Sequence, residues 1–291
     1  MAPDPPTPVS VSRRRFLIGA AAVTGAAILG GVATGVFRGP RGRIGWNRDA
    51  DWIGARREFF RGPFTVEHLL DLAAHGVRPV VSYKPDRSWA EVAAGEADAD
   101  LDAMHDALVV GGVEADVAFH HEPENDEIGH ENAVDPRGTA EEYVAAASRF
   151  ADRVTEGTDA RYVLCLMSSG YEESPERWEC GAEAAFAVDA YNQFGARGDA
   201  WRPLRELITP MVEHARGRGL PCGVWECNAM EDPADPDRKA AWITDAGVAA
   251  DELRLETLLF FDGGDYAWSL LSSPQAEAAV RRAAGLGYFD A

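Results

Sequence analysis

A chain of 291 residues, 46% hydrophobic and carrying 12 Phe, 7 Tyr and 8 Trp, can bury one large core, and its formal net charge of −20 excludes nucleic acid as a natural partner. Four cysteines, none in a closely spaced pair, leave no Cys-rich metal motif. About 250 residues beyond a leader is the size of a single α/β barrel.

The chain opens with Ser12-Arg13-Arg14-Arg15-Phe16-Leu17, a match to the twin-arginine export pattern, followed by an uncharged Gly/Ala-rich run to Phe37. Residues 1–33 are therefore expected to be an export signal, with Gly31-Val32-Ala33 supplying small residues for cleavage. Residues 34–42 read as a short linker and 43–291 as one domain. An uncleaved anchor is the alternative, because the run is long enough to span a bilayer. Either way the protein is expected to act outside the cytoplasm, as a monomer, meeting a membrane only through this leader.

Arg43 to Trp46 and Arg57 to Phe60 read as the first two strands. Thr65 opens a helix that Gly76 stops, and Val77 to Pro85 is a third strand ending in Tyr83 and Lys84. Ser88-Trp-Ala-Glu91 is a capping box, and a helix over Asp98 to Val110 ends at a Gly pair. The fourth strand, Asp116 to Glu124 (Asp-Val-Ala-Phe-His-His-Glu-Pro-Glu), breaks off in two imidazoles, a carboxylate and Pro123, which cannot donate to a ladder. Thr139 to Glu142 is a second capping box, opening a helix to about Glu156. Arg161 to Ser168 and Ala185 to Asn192 are strands five and six, the latter ending in Asp189 and Tyr191. After a helix from Leu204 to Arg216 comes strand seven, Pro221 to Asn228, which repeats the earlier arrangement with Glu226. A helix over Arg238 to Ala246, an eighth strand over Leu255 to Asp262 and a final helix over Pro274 to Ala284 complete the chain.

Eight apolar strands alternating with helices, without a Gly-rich phosphate loop, predict a (β/α)₈ TIM barrel, in which strand ends meet at one face. In a barrel about 15 Å across, strands four and seven face each other, so inward Glu122 and Glu226 are expected to bring their carboxyl groups within roughly 5 to 6 Å. That separation suits a retaining glycosidase. Glu122 is assigned as acid/base and Glu226 as nucleophile, with no cofactor. A metal hydrolase built on His120, His121 and Glu122 competes poorly, since neighbours on a strand point to opposite sides.

In their order, Ser82-Tyr-Lys-Pro85, His120-His-Glu-Pro-Glu124, Val188-Asp-Ala-Tyr-Asn192, Val224-Trp-Glu226, Lys239-Ala-Ala-Trp242 and Phe260-Phe-Asp262 with Trp268 resemble bacterial members of glycoside hydrolase family 26, over about residues 43 to 290. The resemblance implies a barrel with catalytic Glu on strands four and seven, acting on a β-linked polysaccharide, with mannan first and β-glucan second. It also implies that His121 precedes the acid/base and that Tyr191 positions the nucleophile. A barrel that binds glycans without cleaving them is the alternative.

Further substrate contacts are expected from His120, Asp189, Lys84, Tyr83, Trp46 and Trp268, with Trp178 and Trp201 as additional stacking candidates. Trp225 is expected to face outward by alternation from Glu226. Cys180 and Cys227 both fall on the loop side, so a disulfide between them is possible in an oxidising compartment, while Cys165 and Cys222 read as small strand residues.

Overall fold

The computed structural model describes residues 42–47, 53–131, 133, 135–195, 200–263, 269–286 and 289–290. The expected export signal, nearly all of the expected linker, and Trp268 lie outside the described residues. Among the described residues no helix is long and apolar enough to cross a membrane.

Eight parallel strands close into a barrel: β1 (Gly42–Trp46), β2 (Ala55–Phe60), β3 (Arg78–Tyr83), β4 (Ala115–Phe119), β5 (Ala160–Met167), β6 (Ala185–Asn192), β7 (Cys222–Ala229) and β8 (Thr257–Phe260). Neighbours follow chain order, and β1 seals the ring by pairing with both β2 and β8. A two-residue strand, β9 (Phe289–Asp290), runs parallel to Gly42 and Arg43. The helices are α1 (Val66–Ala74), α2 (Trp89–Ala94), α3 (Asp98–Gly111), α4 (Ala140–Thr155), α5 (Ser168–Glu173), α6 (Leu204–Arg218), α7 (Pro236–Leu253) and α8 (Pro274–Ala284).

Local chemistry accounts for most boundaries. Both expected capping boxes form: Ser88 with Glu91 opens α2, and Thr139 with Glu142 opens α4, each pairing two otherwise orphaned amides. The helix α7 begins earlier and ends later than its apolar periodicity suggested, with Asp235 as its cap and Pro236 at its first position. The short helix α5, directly after β5, carries no apolar periodicity and was not expected.

The barrel interior is a thin layer of Ala55, Val80, Ala118, Val163, Cys165, Ala185, Ala187, Trp225 and Leu259, one indole filling the space that many small side chains leave. Below it, buried Asp116 holds Arg78 at 2.8 Å and Arg161 at 2.6 Å, pairing charge at the amino-terminal end. Outside, a larger cluster joins the strands to the helices. Its aromatic part, Tyr83, Trp89, Phe119, Tyr143, Phe150, Tyr162 and Trp178, packs between β3 to β5 and α2 and α4. Burying each such side chain is worth about 1.5–3 kcal/mol. This anchorage fixes the strand ends that carry the site.

Candidate active site

At the end of β4 the chain leaves extended geometry through two left-handed residues, His120 (φ 44°) and Glu122 (φ 53°). Among the described non-glycine residues only Arg254 shares that sign. Such backbone costs on the order of 1–3 kcal/mol per residue and persists only where surroundings dictate it. Here the His120 amide donates to Tyr83 O at 2.8 Å and the Glu122 amide to Cys165 O at 2.9 Å, tying the turn to the strands on both sides. His120 Nε2 lies 2.9 Å from Asp126 Oδ2, which also meets Lys84 Nζ at 2.5 Å. The turn sends His120 outward against Trp89 and lets His121 and Glu122 both face the barrel mouth.

Burial pushes the Glu122 carboxyl up to about 7, and the negative charge of Glu226 adds to it; Lys84 and the 3.0 Å hydrogen bond from Asn125 Nδ2 offset part of the rise. His120 falls to about 4, chiefly through burial, and so stays neutral. Burial also pushes Asp126 up, but the hydrogen bonds from His120 and Lys84 overcome it and hold that carboxyl at about 2.

On β7 the register slips. Val224 pairs with Val188 and Glu226 with Asp189, so Trp225 is one residue too many for its partner strand. The bulge turns both Trp225 and Glu226 inward: the indole joins the interior layer, correcting the outward placement that simple alternation suggested. Glu226, 5% exposed, accepts a 2.5 Å hydrogen bond from Tyr191 OH and lies 3.5 Å from Arg57 Nε. Arg57 is 1% exposed. Its guanidinium sits 4.7 Å from the Trp225 ring, 4.8 Å from the Phe59 ring and 4.0 Å from Asp189 Oδ2. Burial raises the Glu226 carboxyl, while Arg57 and Tyr191 pull it down and favour the anion. Asp189, beneath, is held well above the usual carboxylate range by burial and by the charge of Glu226, and its Oδ1 takes a 3.3 Å contact from Cys165 Sγ.

Arg57 and Glu124 are the members of this site that sequence reasoning missed. The signal for Arg57 was parity: with Ala55 and Phe59 it occupies the inward positions of β2. Glu124 accepts from the Met167 amide at 2.5 Å, and burial pushes it up to about 8. It fits only because residue 170 is glycine, where an added Cβ would stand 2.4 Å from Glu124 Oε1.

The structure brings Glu122, Glu226, His121 and Tyr191 together at one mouth, with Lys84 at its edge, and revises the other assignments. Tyr83 is fully buried on the outer side of β3, stacked on Phe150 and donating to Asp100, so it cannot meet a substrate. His120 is equally buried and committed to Asp126. Asp189 lies sealed under Glu226. Trp46, 6% exposed, belongs to the outer core because alternation on β1 turns it away from the lumen. Trp178 packs against Trp89 and Tyr143, and Trp201 against Phe194 and Arg238. All four cysteines are free thiols. Cys227 follows an inward residue, so it turns into the sealed layer outside the barrel, whereas Cys180 lies in the loop before β6, where its neighbours include Glu183 and Tyr143. Both thiols are free, so the possible bridge between them is not formed.

His121, Asp189 and Glu226 have ligand atoms within 4.8 Å of one another, a spacing that a metal ion could use. The Arg57 guanidinium already supplies positive charge to both of those carboxylates. An ion would have to share that space with a buried cation.

No family model matches the chain, and no curated protein matches it. Solved structures do. Family 26 glycoside hydrolase GH26C from a Muricauda species superposes with a TM-score of 0.60 at 11% identity, over 84% of this chain and 85% of that one. The catalytic domain of a family 26 endo-β-1,4-mannanase from a Bacillus species gives 0.59 at 13% identity, over 79% of each. A Bacteroidetes-affiliated family 5 cellulase gives 0.57 at 11% identity, over 85% and 93%. The chain shares their barrel fold.

Proposed function

We propose that the protein is an exported retaining glycoside hydrolase acting on a β-linked polysaccharide, β-1,4-mannan before β-glucan. The observation that carries this reading is the pair of carboxylates at the ends of β4 and β7, placed in contrasting surroundings. Glu122 keeps its proton to about 7 through burial and the charge of Glu226, while Glu226 sits against Arg57 and Tyr191, which favour its anion. The fold shared with mannanases and a cellulase supports the same choice.

In this mechanism Glu122 gives its proton to the glycosidic oxygen as that bond breaks, and a Glu226 oxygen bonds to the anomeric carbon to form a glycosyl ester. Loss of the Glu226 charge on glycosylation lowers the proton affinity of Glu122 relative to the free enzyme, so Glu122 can next take a proton from water. That water attacks the anomeric carbon, releases Glu226 and delivers the sugar with its original configuration. Tyr191 and Arg57 orient the nucleophile throughout.

Incubation with a panel of β-mannans and β-glucans, wild type beside Glu226→Ala, tests the proposal. New reducing ends from the wild type alone support it. Binding without new reducing ends in either sample assigns the barrel to glycan binding instead. Activity that disappears on prolonged chelation and returns with added metal assigns the His121, Asp189 and Glu226 cluster to a metal.

A further inference from the structure

Phe59 is a large side chain of the mouth that the mechanism above leaves unused, and its setting is unusual for a benzyl group. It occupies an inward position at the end of β2, yet it is 42% exposed. One face is covered by the Arg57 guanidinium at 4.8 Å. His121, tilted at 5.3 Å, and Phe261, edge-on at 6.2 Å, flank the ring. The exposed area is therefore the face turned away from Arg57, toward solvent. Phe261 continues the arc edge-on to Tyr191 at 6.2 Å, and Tyr191 holds Glu226. An apolar ring that three neighbours fix, with one face left uncovered, is a rigid surface for another flat apolar face.

The other side of the site differs. A cavity of about 510 Å³ opens beyond Asn125 and Tyr191, lined by His130, Glu131, Ser168, Glu172, Glu173 and Arg202 among others, with Tyr191 its single aromatic. Asn125 is bonded to Glu122 and Tyr191 to Glu226, so this polar cavity, lined from the ends of β5 and β6, meets both carboxylates from one side. The ring on β2 lies on the opposite side, next to the nucleophile.

We infer that Phe59 is the stacking platform for the sugar that becomes bonded to Glu226 or for the sugar preceding it, taking the C–H face of a β-linked pyranose. This rests on the glycoside hydrolase reading and deepens it: the enzyme grips its substrate by apolar contact at the end of β2 and by polar contact at the ends of β5 and β6. Arg57 under the same ring ties that grip to the nucleophile, because one guanidinium touches both.

The test uses the full chain carrying Glu226→Gln, which cannot form the glycosyl ester, titrated calorimetrically with β-1,4-manno- and β-1,4-gluco-oligosaccharides of two to six sugars. Adding Phe59→Ala is expected to weaken binding about 10-fold, while Phe59→Trp, which keeps an aromatic ring over Arg57, holds it within about 3-fold. In the catalytically intact background, Phe59→Ala raises KM with little change in kcat. If the parent binds but Phe59→Ala binds equally well, the platform is wrong and the hydrolase reading stands. If the parent binds no oligosaccharide of either series, both fall together.

Discussion

The ends of β4 and β7 present the same residue type by two different departures from regular strand. At β4 the backbone enters left-handed space at His120 and Glu122, and the strain is held by Asp126, Lys84 and the flanking strands. At β7 an extra residue, Trp225, shifts the register, and Glu226 arrives beside a buried guanidinium and a tyrosine hydroxyl. Burial raises both carboxyls; at Glu122 a like charge adds to the rise, whereas at Glu226 the Arg57 guanidinium at 3.5 Å and the Tyr191 hydroxyl pull against it. Partners, rather than residue type, separate acid from nucleophile.

The sharpest way to break this contrast is to remove either carboxylate. Glu226→Ala is expected to lower kcat by at least about 10⁴-fold on every substrate, since no glycosyl ester can form. Glu122→Ala is expected to cost roughly 10²–10⁴-fold on polysaccharide and much less on an aryl glycoside whose leaving group needs no proton. Equal losses on the two substrates would remove the acid role from Glu122.

Next in size, Arg57→Met leaves Asp189 and Glu226 without their buried cation. A loss of about 3–5 kcal/mol in denaturant unfolding is expected, because the uncompensated partners stay buried. Gly170→Ala forces Glu124 to move and should cost about 1–3 kcal/mol in the same assay, with a fall in kcat as the Glu122 turn shifts.

The smallest expected effect is on pH dependence. With Glu122 raised to about 7, kcat/KM should fall as pH rises through that value, because the acid loses its proton. Lys84 lowers the Glu122 pKa, so Lys84→Met should move this alkaline limb upward. Stability carries matching signs. Glu122 is protonated in the folded chain and ionised in the unfolded one between its ordinary 4.5 and about 7, so its contribution is lost as pH rises across that window. Asp126, held at about 2 against an ordinary 3.8, contributes above 3.8 and loses that contribution as pH falls through about 2.

Much of this site was legible before the fold was known, because apolar runs that stop at a carboxylate mark strand ends, and strand ends of a barrel converge. The capping boxes at Ser88 and Thr139 fixed two helix starts by the same kind of local chemistry. Alternation failed where the backbone stopped being regular. It turned Trp225 outward because a bulge leaves no mark in side-chain parity, and it kept Tyr83 and Asp189 at the mouth because strand ends can be placed only to within a residue or two. Arg57 escaped notice because parity marks it only as inward, and the partners that explain a buried charge there lie more than a hundred residues away. The short helix α5 has no apolar period to betray it, and the Cys180 and Cys227 pairing failed because a shared loop side does not imply a shared neighbourhood.

The most direct test of the paired-carboxylate account follows the anomeric protons by NMR during cleavage of a β-1,4-linked oligosaccharide, before mutarotation scrambles the product. The account predicts that the β-anomer appears first from the wild type and that nothing appears from Glu226→Ala. First appearance of the α-anomer would mean that water, and not Glu226, attacks the anomeric carbon, and would contradict it.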